Sequence, residues 1–255
     1  MIAETYDLAR FRLDIELAKR VQHSLLPKEL PQRPGLEIWG ATRFAYDIGG
    51  DFYDFVDMPE RPMTLVVGDI SGKGVAAALF MAVTRRVLRT QANFRSVPSP
   101  QTILRYTNSE LYADFTNSIM FATVFVGQYY SEQQTLVYAN AGHSPVIYCP
   151  AGGRAQVLIA NATALGVLPH SDAADLSLTF KPGDVLVIGT DGLNEARNGE
   201  DRMFGYYGLK NTVEETAHLP AHAIMAALFE AVDRHSSADT AQDDQTLVVL
   251  KYTGA

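Results

Sequence analysis

A single cysteine, Cys149, stands among 255 residues, so no disulfide can close within the chain and a reducing compartment is expected. Basic charge is also short. Lysine and arginine number 21 against 29 aspartates and glutamates, a net charge of −8. Binding nucleic acid through a basic face rests on neutralising phosphates, and that balance argues against it. No apolar run approaches the roughly 18 residues that a membrane-spanning helix needs, and the opening MIAETYDLARFRL has no signal-peptide core. These absences lead to the expectation of a cytoplasmic protein that binds neither membrane nor nucleic acid. What is present is ordinary for a globular chain: 47% hydrophobic and 20% charged residues, enough for a sizeable core.

The first 26 residues read as one helix, which Pro27 ends. Leu8, Phe11, Ile15, Ala18, Gln22 and Leu25 recur at spacings of three and four, the seam of a short coiled coil. Two readings are open: the helix packs on its own domain, or it pairs with a copy of itself as a homodimer. From Leu36 the pattern changes. LEIWGATRF and MTLVVGDI read as strands and VAAALFMAVTRRVLRTQA as a helix with an apolar face. SPQTILRYTNSELYADF reads as a second helix, begun by Ser99 with Pro100 in its first turn. MFATVFVGQYY, QTLVYANAG and PVIYCP follow at close spacing and predict an antiparallel meander. DVLVIGTDG is a buried strand, HAIMAALFEAVDRH a late helix and DDQTLVVLKY a final strand. Paired helices between runs of adjacent strands predict an α+β domain over residues 35–255, with residues 1–34 as an N-terminal helical extension.

The chemistry gathers at aspartates. Asp51 in GGDFYDF, Asp69 in VVGDISGKG, Asp191 in VIGTDGL and the pair Asp243–Asp244 in QDDQTLVVL each sit at a strand end or in a glycine turn. One such aspartate alone is ordinary turn chemistry. Four of them beside apolar strands are costly unless something offsets their desolvation, and a hard divalent cation does so through oxygen ligands. The turn after Val67 is not a phosphate-binding P-loop: three residues, not four, separate Gly68 from Gly72, Gly74 follows Lys73, and Asp69 would repel phosphate. CPAGGR, Cys149 to Arg154, is one residue too short for a cysteine-phosphatase loop. No histidine pair has zinc spacing on a helix, and His143 in NAGHSP reads as structural. Arg85 and Arg86 read as solvated or ion-paired, and Lys73 as solvated, with neutralising a substrate as its alternative.

IGGDFYDF, VVGDISGKGVAAALFMA, FATVF, YANAGHSPVIY, KPGDVLVIGTDGLNEARN and DDQTLVVL stand in the order of a known family. The chain resembles the metal-dependent serine/threonine phosphatases of the PPM (type 2C-like) family, in the SpoIIE-like and RsbU-like bacterial branch. The likeness runs from about Gly35 to Tyr252, and AKRVQHSLLP is similar to the linker that precedes the domain in such proteins. The resemblance implies a four-layer αββα sandwich of two antiparallel sheets flanked by helices. It also implies two divalent cations, Mn²⁺ or Mg²⁺, held by Asp51, Asp69, Asp191, Asp243 and the backbone carbonyl of Ile70, with Asp69 bridging. Asp244 and Asp47 would stand behind these ligands. Gly72 and Gly74 would shape the turn, and Ala76 to Ala78 would let the next helix pack closely. The implied reaction is hydrolysis of phosphoserine or phosphothreonine by an activated water. The implied substrate is a STAS-domain anti-anti-sigma factor in a partner-switching pathway. The alternative is a partner-binding module that keeps the fold without turnover.

Overall fold

A computed structural model describes residues 2–94, 96–236 and 243–254, with the side chains of residues 2–9 left out. Among these residues, ten strands form two five-stranded sheets, and every strand pair is antiparallel. In chain order the elements are α1 (Ile2–Leu25), β1 (Leu36–Arg43), β2 (Phe52–Val56), β3 (Met63–Ile70), α2 (Gly74–Ala92) and α3 (Pro100–Ser118). Next come β4 (Ala122–Tyr130), β5 (Thr135–Ala141), β6 (Val146–Cys149), β7 (Gln156–Val157), β8 (Leu176–Thr179) and β9 (Val185–Gly189). The chain closes with α4 (Asp191–Asn194), α5 (Gly205–Thr216), α6 (Ala221–His235) and β10 (Gln245–Tyr252). One sheet runs β1-β10-β9-β6-β7 and the other β2-β3-β4-β5-β8.

The apolar strands explain the layering. Sheets covered on both faces call for nearly continuous apolar runs, and LVV, VLVI and LVVL within β3, β9 and β10 supply them. On β3, Leu65 and Val67 point into the core between the sheets while Val66 points at α2 and α3. A third apolar cluster fills the space between the first sheet and α5 and α6. The α+β expectation and the αββα sandwich are both observed.

Several local expectations need correction. β6 does not extend the meander of β4 and β5 but pairs with β9 in the other sheet. The Asn140 side chain brackets the turn that sends it across, accepting from the His143 backbone N–H at 2.7 Å and donating to the His143 carbonyl at 2.9 Å. β2 has little strand signal in the sequence, because its FYDFV run is only five residues long and carries Asp54 at its centre. There Asp54 is buried, pairing with Arg85 at 3.0 Å and Arg89 at 2.8 Å on α2. So Arg85 is an ion-pair partner, whereas Arg86 is solvated. α5 was missed too, since its two glycines and two threonines are poor helix formers and packing of Leu209 and Val213 holds it. Ser99 does occupy the N-cap of α3, but its hydroxyl bonds Thr102 Oγ1 instead of the backbone.

The helix α1 lies against the domain through its C-terminal half. Ile15, Ala18 and Leu25 of the apolar seam are half-buried and Gln22 is buried. Gln22 donates to the Gly49 carbonyl at 2.6 Å and accepts from the Gly49 N–H at 3.1 Å, while Lys19 pairs with Asp47 at 3.1 Å. Leu8 belongs to the side chains left undescribed. A second stripe, Leu13, Leu17 and Val21 at every fourth position, faces solvent.

Candidate metal centre

Both sheets end at the same edge, and the aspartates stand there. β2 begins opposite the end of β3, with Phe52 facing Gly68, so Asp51 and Asp69 come from one sheet. β9 ends opposite the start of β10, with Gly189 facing Leu247, so Asp191 and the Asp243–Asp244 pair come from the other. Close packing explains the glycines before Asp51. A Cβ on Gly49 would lie 1.7 Å from Asp244 Oδ2, and one on Gly50 would lie 2.7 Å from the Ile70 carbonyl oxygen. Gly72 and Gly74 both take positive φ, at 87° and 72°, and turn the chain from Asp69 into α2. Of the three alanines that follow, only Ala77 is buried, against Gly50.

The electrostatics of the edge reflect burial and mutual repulsion. Burial, then the charges of Asp69 and Asp244, hold the Asp51 carboxyl well above the usual range. Asp69 is pushed up to about 8, first by burial and then by Asp191 and Asp243, and it is hydrogen-bonded to Asp51. Asp191 opens α4 on the solvent side, yet partial desolvation of its carboxyl, Glu195 and Asp243 raise it to about 6. Asp69 is therefore the common neighbour of the set. Among the described residues, no group of three or more acidic, histidine or cysteine side chains is placed to hold a metal ion as it stands. The carboxylates share one edge around Asp69, and their oxygen chemistry suits a hard divalent cation.

The two aspartates of the pair differ. Asp244 accepts from the Ala45 N–H at 2.9 Å and the Gly50 N–H at 3.0 Å, so both of its oxygens are engaged by backbone. Asp243 is half-exposed and meets Lys73 Nζ at 2.8 Å. Lys73 is therefore ion-paired at the edge, not merely solvated. A polar cleft of ≈ 140 Å³ opens beside it, lined by Lys73, Glu195, Arg197, Ser236, Asp243 and Gln245. Asp47 stays outside, paired with Lys19 on α1.

Of two residues read from the sequence as non-catalytic, His143 sits just behind the edge, on Thr123, the β4 residue paired with Asp69, and Cys149 lies away from it. His143 is buried with Nδ1 3.0 Å from Thr123 Oγ1, and burial lowers it to about 4, so it is neutral. Cys149 pairs across from Val185, at the opposite end of β9 from the aspartates, and burial pushes its thiol up. Sequence reasoning missed Thr190, fully buried, whose hydroxyl lies 2.6 Å from Asp51 Oδ2. Its only signal was its place immediately before Asp191 in GTDGL.

Two helix-covered antiparallel sheets with aspartates at their common edge define a PPM-type phosphatase domain. Residues 59–253 match the family described as Stage II sporulation protein E (SpoIIE), and the chain belongs to that family. Protein IcfG of Synechocystis sp. is 28% identical over 94% of this chain, which spans 41% of that protein's length. Phosphoserine phosphatase RsbU of Bacillus subtilis is 28% identical over 93% of this chain and 70% of its own. The SiaA-PP2C domain of Pseudomonas aeruginosa superposes with a TM-score of 0.85 at 20% identity, covering 99% of this chain and 100% of that one. At that identity the likeness speaks for the fold. No helix among the described residues is long and apolar enough to cross a membrane.

Proposed function

We propose that the chain is a metal-dependent protein serine/threonine phosphatase that hydrolyses phosphoserine or phosphothreonine on a protein substrate. The observation that carries this reading is the edge itself: carboxylates from both sheets crowd around Asp69, which burial and its neighbours push up to about 8. Asp51, Asp69, Asp191, Asp243 and the Ile70 carbonyl are the groups that would hold two divalent cations, Mn²⁺ or Mg²⁺, with Asp69 shared. Bound there, such ions would acidify a water and neutralise phosphate oxygens, the chemistry that direct hydrolysis requires. The chain's own residues supply the rest. Asp244, tied to the backbone at Ala45 and Gly50, holds the Gly49–Asp51 segment against β10. Lys73 and Arg197 line the cleft with positive charge where a phosphorylated side chain would enter. His143, buried and neutral, stands behind Asp69 through Thr123, and Cys149 is too far along the sheet to act as nucleophile.

The substrate we propose is a small STAS-domain anti-anti-sigma protein in a partner-switching pathway. The resemblance to the RsbU-like branch supports it, as does the similarity to a named phosphoserine phosphatase. The test is phosphate release from a phosphoserine STAS protein with Mn²⁺, Mg²⁺ or EDTA, wild type beside Asp69→Asn. Release is expected with metal only, and the substitution should abolish it. A folded wild type that releases nothing with either metal while still binding the STAS protein would instead establish a partner-binding module.

A further inference from the structure

The metal centre draws its side chains from two separate sheets, so something must hold Asp51 of one in place relative to Asp191 and Asp243 of the other. Thr190 lies at that junction. It is fully buried at the end of β9, next to Asp191. Its Oγ1 accepts a hydrogen bond from the Thr246 backbone N–H at 2.9 Å and lies 2.6 Å from Asp51 Oδ2. An amide N–H can only donate, so it takes one lone pair of the hydroxyl and leaves the hydroxyl proton free for the ionised Asp51 carboxylate, the form that a cation binds. The 2.6 Å separation is that of a charge-assisted O–H···O⁻ bond. Thr246 is itself held, its hydroxyl 2.8 Å from that of Thr42 on β1.

We infer that Thr190 is a positioning residue for the metal centre. Its hydroxyl, oriented by the Thr246 amide, fixes the Asp51 carboxylate across the two sheets through Oδ2. The inference rests on the metal-dependent phosphatase reading. A buried Asp51 carboxylate without this donor loses its 2.6 Å hydroxyl contact and keeps the Thr246 side chain as its other threonine partner. Partners standing behind a metal ligand typically change metal affinity about 10–100-fold when removed.

The experiment compares Thr190→Val, close in shape without the hydroxyl, with Thr190→Ser, which keeps it. Mn²⁺ binding is measured by calorimetry and folding by circular dichroism, each also in an Asp51→Asn background. Thr190→Val is expected to weaken Mn²⁺ binding by about tenfold or more, with the Mn²⁺ requirement for phosphate release rising more than kcat falls. Thr190→Ser should stay within about twofold of wild type. Valine should add nothing once Asp51 is already Asn, because Thr190 acts through that carboxylate. Equal affinity in Thr190→Val and wild type would overturn the assignment, as would an undiminished valine effect in the Asp51→Asn background. Where valine disturbs the fold, Thr190→Ala serves the same comparison. A wild type that binds no Mn²⁺ would overturn the metal-centre reading itself, an outcome visible before any variant is made.

Discussion

Adjacent aspartates at the start of β10 do different work, and backbone contacts separate them. Asp244 is buried with both oxygens accepting from backbone N–H groups, whereas Asp243 is half-exposed beside Lys73. Hydrogen bonds to a buried charge are worth about 1.5–3 kcal/mol each, and a half-exposed ion pair about 0–1. Asp244→Ala is therefore expected to lower the melting temperature by several degrees, at about 2–4 °C per kcal/mol for a domain of this size. Asp243→Ala should leave the melting temperature of the EDTA-treated protein within a degree or two, yet abolish metal-dependent phosphate release. Thermal unfolding beside the phosphatase assay checks both. An Asp243→Ala protein that melts early with activity intact would reverse the two roles. Gly49 belongs to the same argument, since any side chain there would collide with Asp244.

Among the elements, α2 is the one whose register matters most, because it follows directly from the turn that carries Asp69. Its N-terminus packs Ala77 against Gly50, and one turn further Met81 is fully buried. Near its far end, Arg85 and Arg89 clasp Asp54 at the centre of β2, with Arg89 also donating to the Phe55 carbonyl at 2.9 Å. Removing one partner of a buried ion pair leaves uncompensated charge and typically costs about 3–5 kcal/mol. Arg89 remains in place, so Arg85→Met is expected at the lower end, about 3 kcal/mol, measured by urea unfolding. A cost below about 1 kcal/mol would mean that the pair behaves like a surface contact. α1 is held differently, by one glutamine and a few half-buried side chains, and it leaves Leu13, Leu17 and Val21 in solvent.

At the scale of the whole molecule, the crowded carboxylates couple folding to pH and to metal. Asp69 is raised to about 8 and Asp191 to about 6 from an ordinary value of 3.8. With folded pKa values above the unfolded one, the native state binds more protons over that range. The contribution is fully present below about pH 4 and is lost as pH rises towards 8. In EDTA, the melting temperature of wild type relative to Asp69→Asn is thus expected to fall between pH 6 and pH 8, within the range from 3.8 to about 8 over which Asp69 gives up its extra proton. Mn²⁺ competes with these protons, so its stabilisation of wild type should be larger at pH 8 than at pH 6. Differential scanning fluorimetry at the two pH values tests this, and a Mn²⁺ effect that shrinks with pH would contradict it.

The apolar runs and the residue order of the aspartate turns were legible in the sequence, because burial on both faces and sharp glycine turns leave their marks locally. They yielded the α+β class, the main strands and helices and, through the family resemblance, the layered sandwich. What only the tertiary structure decided depends on partners far apart in the chain. It sent β6 to the second sheet, since strand pairing is chosen by the register with β9 and not by spacing from β5. It made β2 a strand, since Asp54 becomes tolerable there only when Arg85 and Arg89 arrive from α2. It separated Asp243 from Asp244 and placed Thr190 against Asp51 across 139 residues of chain. Local sequence records which residues can turn, cap or be buried, but a hydrogen bond between two sheets exists only once both have folded and packed.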